Sequence, residues 1–399
     1  MSGAPTGDFD TYVGEHPLRR AAVEPGWVRV VWTDGHHGRF HHVWLRDNCP
    51  CPACVHEGTR EQMFELPSVA TDLRASAAGV SDDVLVVHWA DDGGHVSRYD
   101  GAWLRAHCYS DDADADGRVA TVVTTWDGTT LAAPPTFDGP AVLADDDAFY
   151  ELLVALRDTG CALLRGLATE PHTVGEVVTR IGPVRETNFG VLWDVIAEPD
   201  PISNANTALP LPPHVDLPTR ERQPGLQFLH CVVNEAEGGE SILVDGFRLA
   251  EVARIEQPDH YEVLTTLPWN WANRSTTSDH RWSAPPIIVD HTGAVTEVRA
   301  GNWLRAPLTD VPFDRVEAAY AAYRWFLELS YDPRFQVRFR LDAGDLMAFD
   351  NRRVLHARAA FDGAGRRRLR GCYSEREELT SRLRMLDRSR REQAAATRR

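Results

Sequence analysis

At 399 residues the chain is long enough to bury a large core and to divide into two or three domains. Its composition, 43% hydrophobic and 25% charged, is that of a globular protein, and no apolar run is long enough to span a bilayer. A net charge of −17 makes nucleic acid and anionic membrane poor partners.

The first residues, Met-Ser-Gly-Ala-Pro, lack the basic and apolar regions of a secretory signal, which predicts a cytoplasmic protein. Residues 1–125 read as a small β-rich domain. Residues 28–32 and 40–45 predict strands on either side of the Asp34-Gly35 turn. Residues 84–89 and 95–99 predict a second hairpin around Asp91-Asp92-Gly93-Gly94. Within this domain Cys49-Pro-Cys51-Pro-Ala-Cys54 brings three thiols within reach of one ion. Thiolates favour zinc, whose tetrahedral shell needs a fourth ligand; His56, His88, His95 and Cys108 are the candidates. The seven cysteines are odd in number, and Cys108, Cys161, Cys231 and Cys372 are scattered, which favours a metal site over a disulfide framework. Four protein ligands leave a zinc ion no open position, so this site holds structure and does no chemistry.

Residues 126–140, rich in alanine and proline, predict a linker. Asp145 is placed to cap a helix whose Phe149, Leu152, Leu153 and Leu156 share one face and which Gly160 ends; residues 161–164 form an apolar strand. Further strands are expected at 226–233, 241–244, 335–341, 346–349 and 369–373. A helix is expected over 314–329, with Val316, Tyr320, Tyr323, Phe326 and Leu327 near helical spacing. Such intervals predict a β-sandwich or barrel bearing helices at one side. The Arg-rich residues 388–399 read as a tail, a solvated or frayed helix end.

Chemistry concentrates in His214-Val-Asp216 and in His356 on a later strand. Two imidazoles and a carboxylate on one face of an octahedral metal leave three positions open, the arrangement of non-haem Fe(II) oxygenases. Arg366, Arg367, Arg368 and Arg370 follow, and a planar guanidinium suits a carboxylate. Strand alternation turns Arg367 and Leu369 to one face, Arg368 and Arg370 to the other. No dinucleotide fingerprint, P-loop or His-Glu-x-x-His is present.

Several longer blocks carry a resemblance: WLRDNCPCPAC (44–54), PHVDLPTRERQPGLQFLHC (213–231), GGESILVDGF (238–247), GDLMAFDNRRVLHAR (344–358) and RRLRGCY (367–373). In these blocks and their order, from about residue 25 to 387, the chain resembles the γ-butyrobetaine hydroxylase and trimethyllysine hydroxylase family. The resemblance implies a mainly β fold with flanking helices. A double-stranded β-helix (jelly-roll) catalytic domain of TauD/TfdA type would span residues 141–387, behind the β-rich zinc-binding N-terminal domain. It implies dioxygenase chemistry with Fe(II), 2-oxoglutarate and O₂. His214, Asp216 and His356 would be the catalytic iron ligands, Arg367 the anchor for 2-oxoglutarate, and His95 the fourth zinc ligand beside Cys49, Cys51 and Cys54. Phe189, Trp193 and Tyr373 correspond to an aromatic cage for a trimethylammonium group, and Asn206 and Asn302 to the polar end of the substrate. One cage tyrosine is missing, with Leu209 nearest, and Phe189 stands where tyrosine is common. The implied reaction is hydroxylation of a small quaternary-ammonium acid, γ-butyrobetaine being favoured over trimethyllysine, a trimethylammonium phosphonate or another amino acid derivative. Family members are often homodimers. A zinc hydrolase built on the same three ligands leaves the arginine cluster unexplained, and a non-catalytic metal-binding β-module predicts no turnover with any amine.

Overall fold

Short amphipathic strands pair near the N-terminus as their alternation demands. In the computed structural model, which describes residues 5–90, 92–110, 123–197, 204–275, 277–362 and 365–397, contacts divide the chain into two units: residues 1–120 with 387–399, and residues 121–386. In the first unit β1 (Leu18–Val23), β2 (Trp27–Trp32) and β3 (His37–His41) form one antiparallel sheet, and β4 (Ala75–Ser81), β5 (Val84–Trp89) and β6 (Val96–Asp100) another. Alternate residues, among them Val28, Val30, Trp32, Leu85, Val87 and Tyr99, share one core. The strand expected at 40–45 ends at His41. From His42 the chain is helical, α1 (His42–Asp47), because His42, Leu45 and Arg46 fall on one buried face at helical rather than strand spacing. A second short helix, α2 (Gly101–Ala106), follows β6. In the β5–β6 hairpin Gly93 (φ 56°) and Gly94 (φ 79°) take the left-handed conformation the turn requires; Asp91 lies outside the described residues.

The stretch read as a linker is built into the second unit. Trp126 is buried and its indole donates to the Thr159 carbonyl at 2.6 Å. β7 (Thr136–Asp138) pairs in parallel with β8 (Cys161–Arg165), and α3 (Gly139–Ala144) follows it. Alanine and proline ruled out a long element here, but one tryptophan and three strand residues suffice to anchor the segment. Helix α4 (Asp146–Thr159) has the expected ends: Asp145 accepts from the Ala148 N–H, and Gly160 takes φ 75°. Then come α5 (Thr173–Ile181), β9 (Trp193–Ile196), β10 (Leu211–His214), β11 (Leu226–Asn234), β12 (Ser241–Asp245), α6 (Gly246–Glu256) and α7 (Pro258–Thr266). They are followed by β13 (Trp269–Arg274), β14 (Asp279–Ala284), β15 (Ile287–Val289), β16 (Val295–Val298), α8 (Val316–Tyr331), β17 (Gln336–Phe339), β18 (Leu346–Asp350), β19 (Val354–Arg358), β20 (Arg367–Ser374) and α9 (Arg376–Thr397).

Two sheets carry the site, β7-β8-β18-β11-β20-β9 and β10-β19-β12-β17. Alternation sorts their side chains. Leu163, Leu229, Met347, Phe349 and Leu369 of the first meet Leu243, Val337 and Val354 of the second in an inner core. Their neighbours in sequence turn outward, Leu164, Phe228, Leu346 and Cys372 onto α3, α4, α5 and α9, and Val244 and Leu355 onto α6, α7 and α8. This is the double-stranded β-helix. Helices cover both outer faces rather than one side, because each sheet is apolar on both of its faces. In α8 the buried stripe runs through Ala319, Ala322, Tyr323 and Phe326; Tyr320, expected on it, is 45% exposed, one position off the stripe. The Arg-rich segment continues α9 as helix to Thr397. Among the described residues no helix is long and apolar enough to cross a membrane.

Candidate active site and metal centres

His214 ends β10 and His356 lies mid-β19, where the two are direct cross-strand partners. Residues opposite one another in an antiparallel pair share a face, and the imidazole centroids lie 4.0 Å apart. Asp216 follows two residues later, with Oδ1 3.4 Å from His214 Nε2 and 3.8 Å from His356 Nε2. The Pro212 carbonyl accepts from His214 Nδ1 at 2.9 Å, which leaves Nε2 as the free lone pair. One donor atom from each residue lies within 4.8 Å of the others, so the three can hold one metal ion. Burial raises the Asp216 carboxyl, but His214, His356 and the Tyr373 hydroxyl outweigh it and keep it below the usual carboxylate range. Burial and the neighbouring His214 push His356 down to about 3. Both are therefore in the protonation state that a metal needs near neutral pH.

Three partners of this cluster have no motif in the sequence. Asn351 accepts from the Asp216 N–H at 2.7 Å and donates to the Asp216 carbonyl at 2.9 Å, fixing the backbone on both sides of the carboxylate. Gln227 donates to Asp216 Oδ2 at 2.7 Å. Trp303 packs on the His214 ring at 4.5 Å. The available signal was a polar Gln227 inside the apolar run Leu-Gln-Phe-Leu, since an inward amide there needs a partner.

On β20, Arg367, Leu369, Gly371 and Tyr373 turn to the interior. Arg367 is 6% exposed, and its Nε has no hydrogen-bond partner among the described residues. Arg358, on the same face of β19 as His356, lies near it and gives its terminal nitrogens to the carbonyls of Ala205, Thr207 and Leu209, its Nε having no partner among the described residues. The two guanidiniums lie 4.8 Å and 5.4 Å from the Phe361 ring. Arg368 and Arg370, on the opposite face, share the Asp194 carboxylate at 3.0 Å and 2.9 Å, and Arg366 pairs with Glu235. Of the four, Arg367 is thus the buried one, and the one whose guanidinium meets no carboxylate among the described residues.

Trp193 lies tilted against Tyr373 at 5.2 Å and against Phe189, which is 44% exposed, at 6.5 Å. Leu209 is 68% exposed and closes nothing. The Tyr373 hydroxyl donates to Asp216 Oδ2 at 2.7 Å. Asn206 donates to the Ile196 carbonyl at 3.1 Å, at the end of β9. Asn302 is exposed and its Oδ1 accepts from Arg305 at 2.7 Å, so its side chain is turned onto that arginine.

In the first unit the turn after α1 brings Cys49, Cys51 and Cys54 together, and the β5–β6 hairpin delivers His95. His95 Nε2 lies 3.3, 3.9 and 3.8 Å from the three sulfurs. A tetrahedral zinc with bonds of about 2.3 Å to sulfur and about 2.0 Å to nitrogen sets that separation at about 3.5 Å, so the donor set fits. Arg46, 6% exposed, donates to Cys54 Sγ at 3.1 Å and pairs with Asp92 at 2.6 Å, placing a cation beside the thiolates. Burial pushes the Cys49 thiol up to about 12, so an ion must displace its proton. The other candidates are engaged elsewhere: His56 Nδ1 accepts from the Gly58 and Thr59 N–H groups, Cys108 neighbours Ser110, and His88 is exposed.

Residues 124–373 match the taurine catabolism dioxygenase TauD, TfdA family, and residues 20–81 match the gamma-butyrobetaine hydroxylase-like N-terminal family. A gamma-butyrobetaine dioxygenase of Pseudomonas sp. (strain AK-1) is 48% identical over 385 residues, 96% of this chain and 99% of that protein. The human gamma-butyrobetaine dioxygenase is 30% identical over 90% of this chain and 94% of its own. The mitochondrial trimethyllysine dioxygenase of Gallus gallus is 29% identical over 87% of this chain and 83% of its own.

Proposed function

The chain belongs to the taurine catabolism dioxygenase TauD, TfdA family, and on that footing we propose that it is an Fe(II)- and 2-oxoglutarate-dependent hydroxylase of γ-butyrobetaine. The observation that carries the substrate is the 48% identity to a gamma-butyrobetaine dioxygenase across nearly the full length of both chains. Succinate formation is the test. γ-Butyrobetaine should stimulate it strongly, trimethyllysine and a trimethylammonium phosphonate weakly, and an isostere with carbon in place of the quaternary nitrogen least. Equal stimulation by that neutral isostere would remove the cationic substrate from the reading. A cytoplasmic location and a homodimer go with the same reading.

His214, Asp216 and His356 would hold the iron, and Arg367 the distal carboxylate of 2-oxoglutarate, leaving the keto acid to reach the metal. When bound, iron and cosubstrate supply the oxidising chemistry, with O₂ consumed and succinate and CO₂ released. The protein contributes placement. Asn351 and Gln227 fix the carboxylate, and Pro212 fixes the His214 tautomer. The rings of Trp193, Tyr373 and Phe189 would receive the trimethylammonium group, each good contact worth roughly 0.5–2 kcal/mol. Gly371 gives Trp193 its room, since a Cβ there would lie 2.4 Å from the indole edge. Gly371→Ala is therefore expected to raise the KM for γ-butyrobetaine about 10-fold, with the KM for 2-oxoglutarate nearly unchanged, in steady-state kinetics.

Cys49, Cys51, Cys54 and His95 would hold a structural zinc. Cys54→Ser is expected to cut zinc from about one per chain to near zero. It should also lower the unfolding midpoint of the first unit by more than about 10 °C. Metal analysis and calorimetry check both.

A further inference from the structure

The two oxygens of Asp216 face different neighbours. Oδ1 looks toward the imidazoles, 3.4 Å and 3.8 Å from their Nε2 atoms. Oδ2 accepts from two donors, the Gln227 amide and the Tyr373 hydroxyl, each at 2.7 Å. Gln227 and Tyr373 are direct cross-strand partners on β11 and β20, so the register of the large sheet aims both at one atom. They are 1% and 2% exposed, and a buried amide and a buried phenol keep the partners they have. With Asn351 holding the backbone on either side, the carboxylate has little freedom to rotate. The other side of Tyr373 belongs to the aromatic pocket, its ring 5.2 Å from Trp193.

We infer that Gln227 and Tyr373 are positioning residues that tie off Oδ2, so that Asp216 offers a metal one oxygen, and that through Tyr373 the filling of the aromatic pocket is felt at the metal. Three ligands leave three positions on an octahedral ion. A keto acid would take two and water the third; a freed Oδ2 swinging round as a second Asp216 ligand would displace that water and close the position. The tie-off stands on geometry alone; the link to the pocket also rests on the proposed reading of what that pocket binds.

The test uses Co(II), whose ligand-field absorption reports coordination number, in the full-length wild type, Gln227→Leu and Tyr373→Phe. Tyr373→Phe removes one oxygen and keeps the ring; Gln227→Met serves if Gln227→Leu does not fold. Spectra are taken with 2-oxoglutarate alone, then during titration with γ-butyrobetaine, whose binding is followed separately by calorimetry. With 2-oxoglutarate alone, azide is expected to shift the wild-type absorption by displacing the water at the third position, and to leave both variants unchanged, a second Asp216 oxygen having displaced that water already. Tyr373→Phe should then bind γ-butyrobetaine within about 3-fold of wild type, its ring being kept, yet lose the spectral response. Variants that take up azide as wild type does before any amine is added would overturn the tie-off. A wild-type response in Tyr373→Phe would overturn the link to the pocket. A wild type that binds Co(II) and 2-oxoglutarate but neither binds γ-butyrobetaine nor responds to it would sink the substrate assignment and the link with it, while the amine-free spectra still decide the tie-off.

Discussion

His356→Ala is expected to lower 2-oxoglutarate-dependent turnover by at least about 10³-fold, because the metal is both Lewis acid and template for the reaction. The imidazole is buried on the inner face of β19, 4.8 Å from Phe349 and paired in register with His214. Neither a neighbouring side chain nor bulk water can replace it without leaving the remaining two ligands on an incomplete face. Equilibrium dialysis with Fe(II) should show the loss of metal directly, and calorimetry should show that the fold survives. Turnover within tenfold of wild type would remove the three-ligand centre from the account. It would also reopen the reading of this unit as a binding module.

Arg367→Ala should raise the KM for 2-oxoglutarate roughly 100-fold or more, with far less effect on amine binding. Truncating one partner of a buried charge pair costs about 2–5 kcal/mol, much of it from the charge left unpaired. The guanidinium is already desolvated, with its Nε unpartnered, so a carboxylate would meet a donor that needs little rearrangement. Arg367→Lys keeps the charge but not the planar fork and should fall between the two. Arg370→Ala is the control. Its partner is Asp194 on the other face of β20, so the KM for 2-oxoglutarate should stay within about 3-fold. An equal loss in both variants would move the cosubstrate away from Arg367.

What could be read from the sequence was what is written in local spacing. The ends of α4 are set by Asp145 and Gly160, and the inward face of β20 by plain alternation. The Cys49-to-Cys54 turn and the His214-Val-Asp216 pair place their donors through a few residues of backbone. The errors have the same physical root. Residues 40–45 hold apolar groups that suit strand or helix, and burial of Arg46 beside Cys54 decides for helix at His42. Residues 126–140 look like a linker until Trp126 finds its pocket. Strands β13 to β16 went unread because Trp-Asn-Trp-Ala-Asn-Arg and its partners are short and mixed in character. Gln227, Asn351 and Trp303 act through pairings between distant segments, and no window of sequence contains both halves of those contacts.

The distances along the chain have a consequence for how the two metal centres come into being. Cys49 and His95 are 46 residues apart, so that cluster can close as soon as one small piece of chain has emerged. Asp216 and its clamp Asn351 are 135 residues apart, and His356 lies further on. Closing the longer loop costs about 1 kcal/mol more chain entropy and is slower, and the three donors are not together until the last strands dock. On the proposed reading, iron would therefore load last, into a finished barrel and not a nascent one.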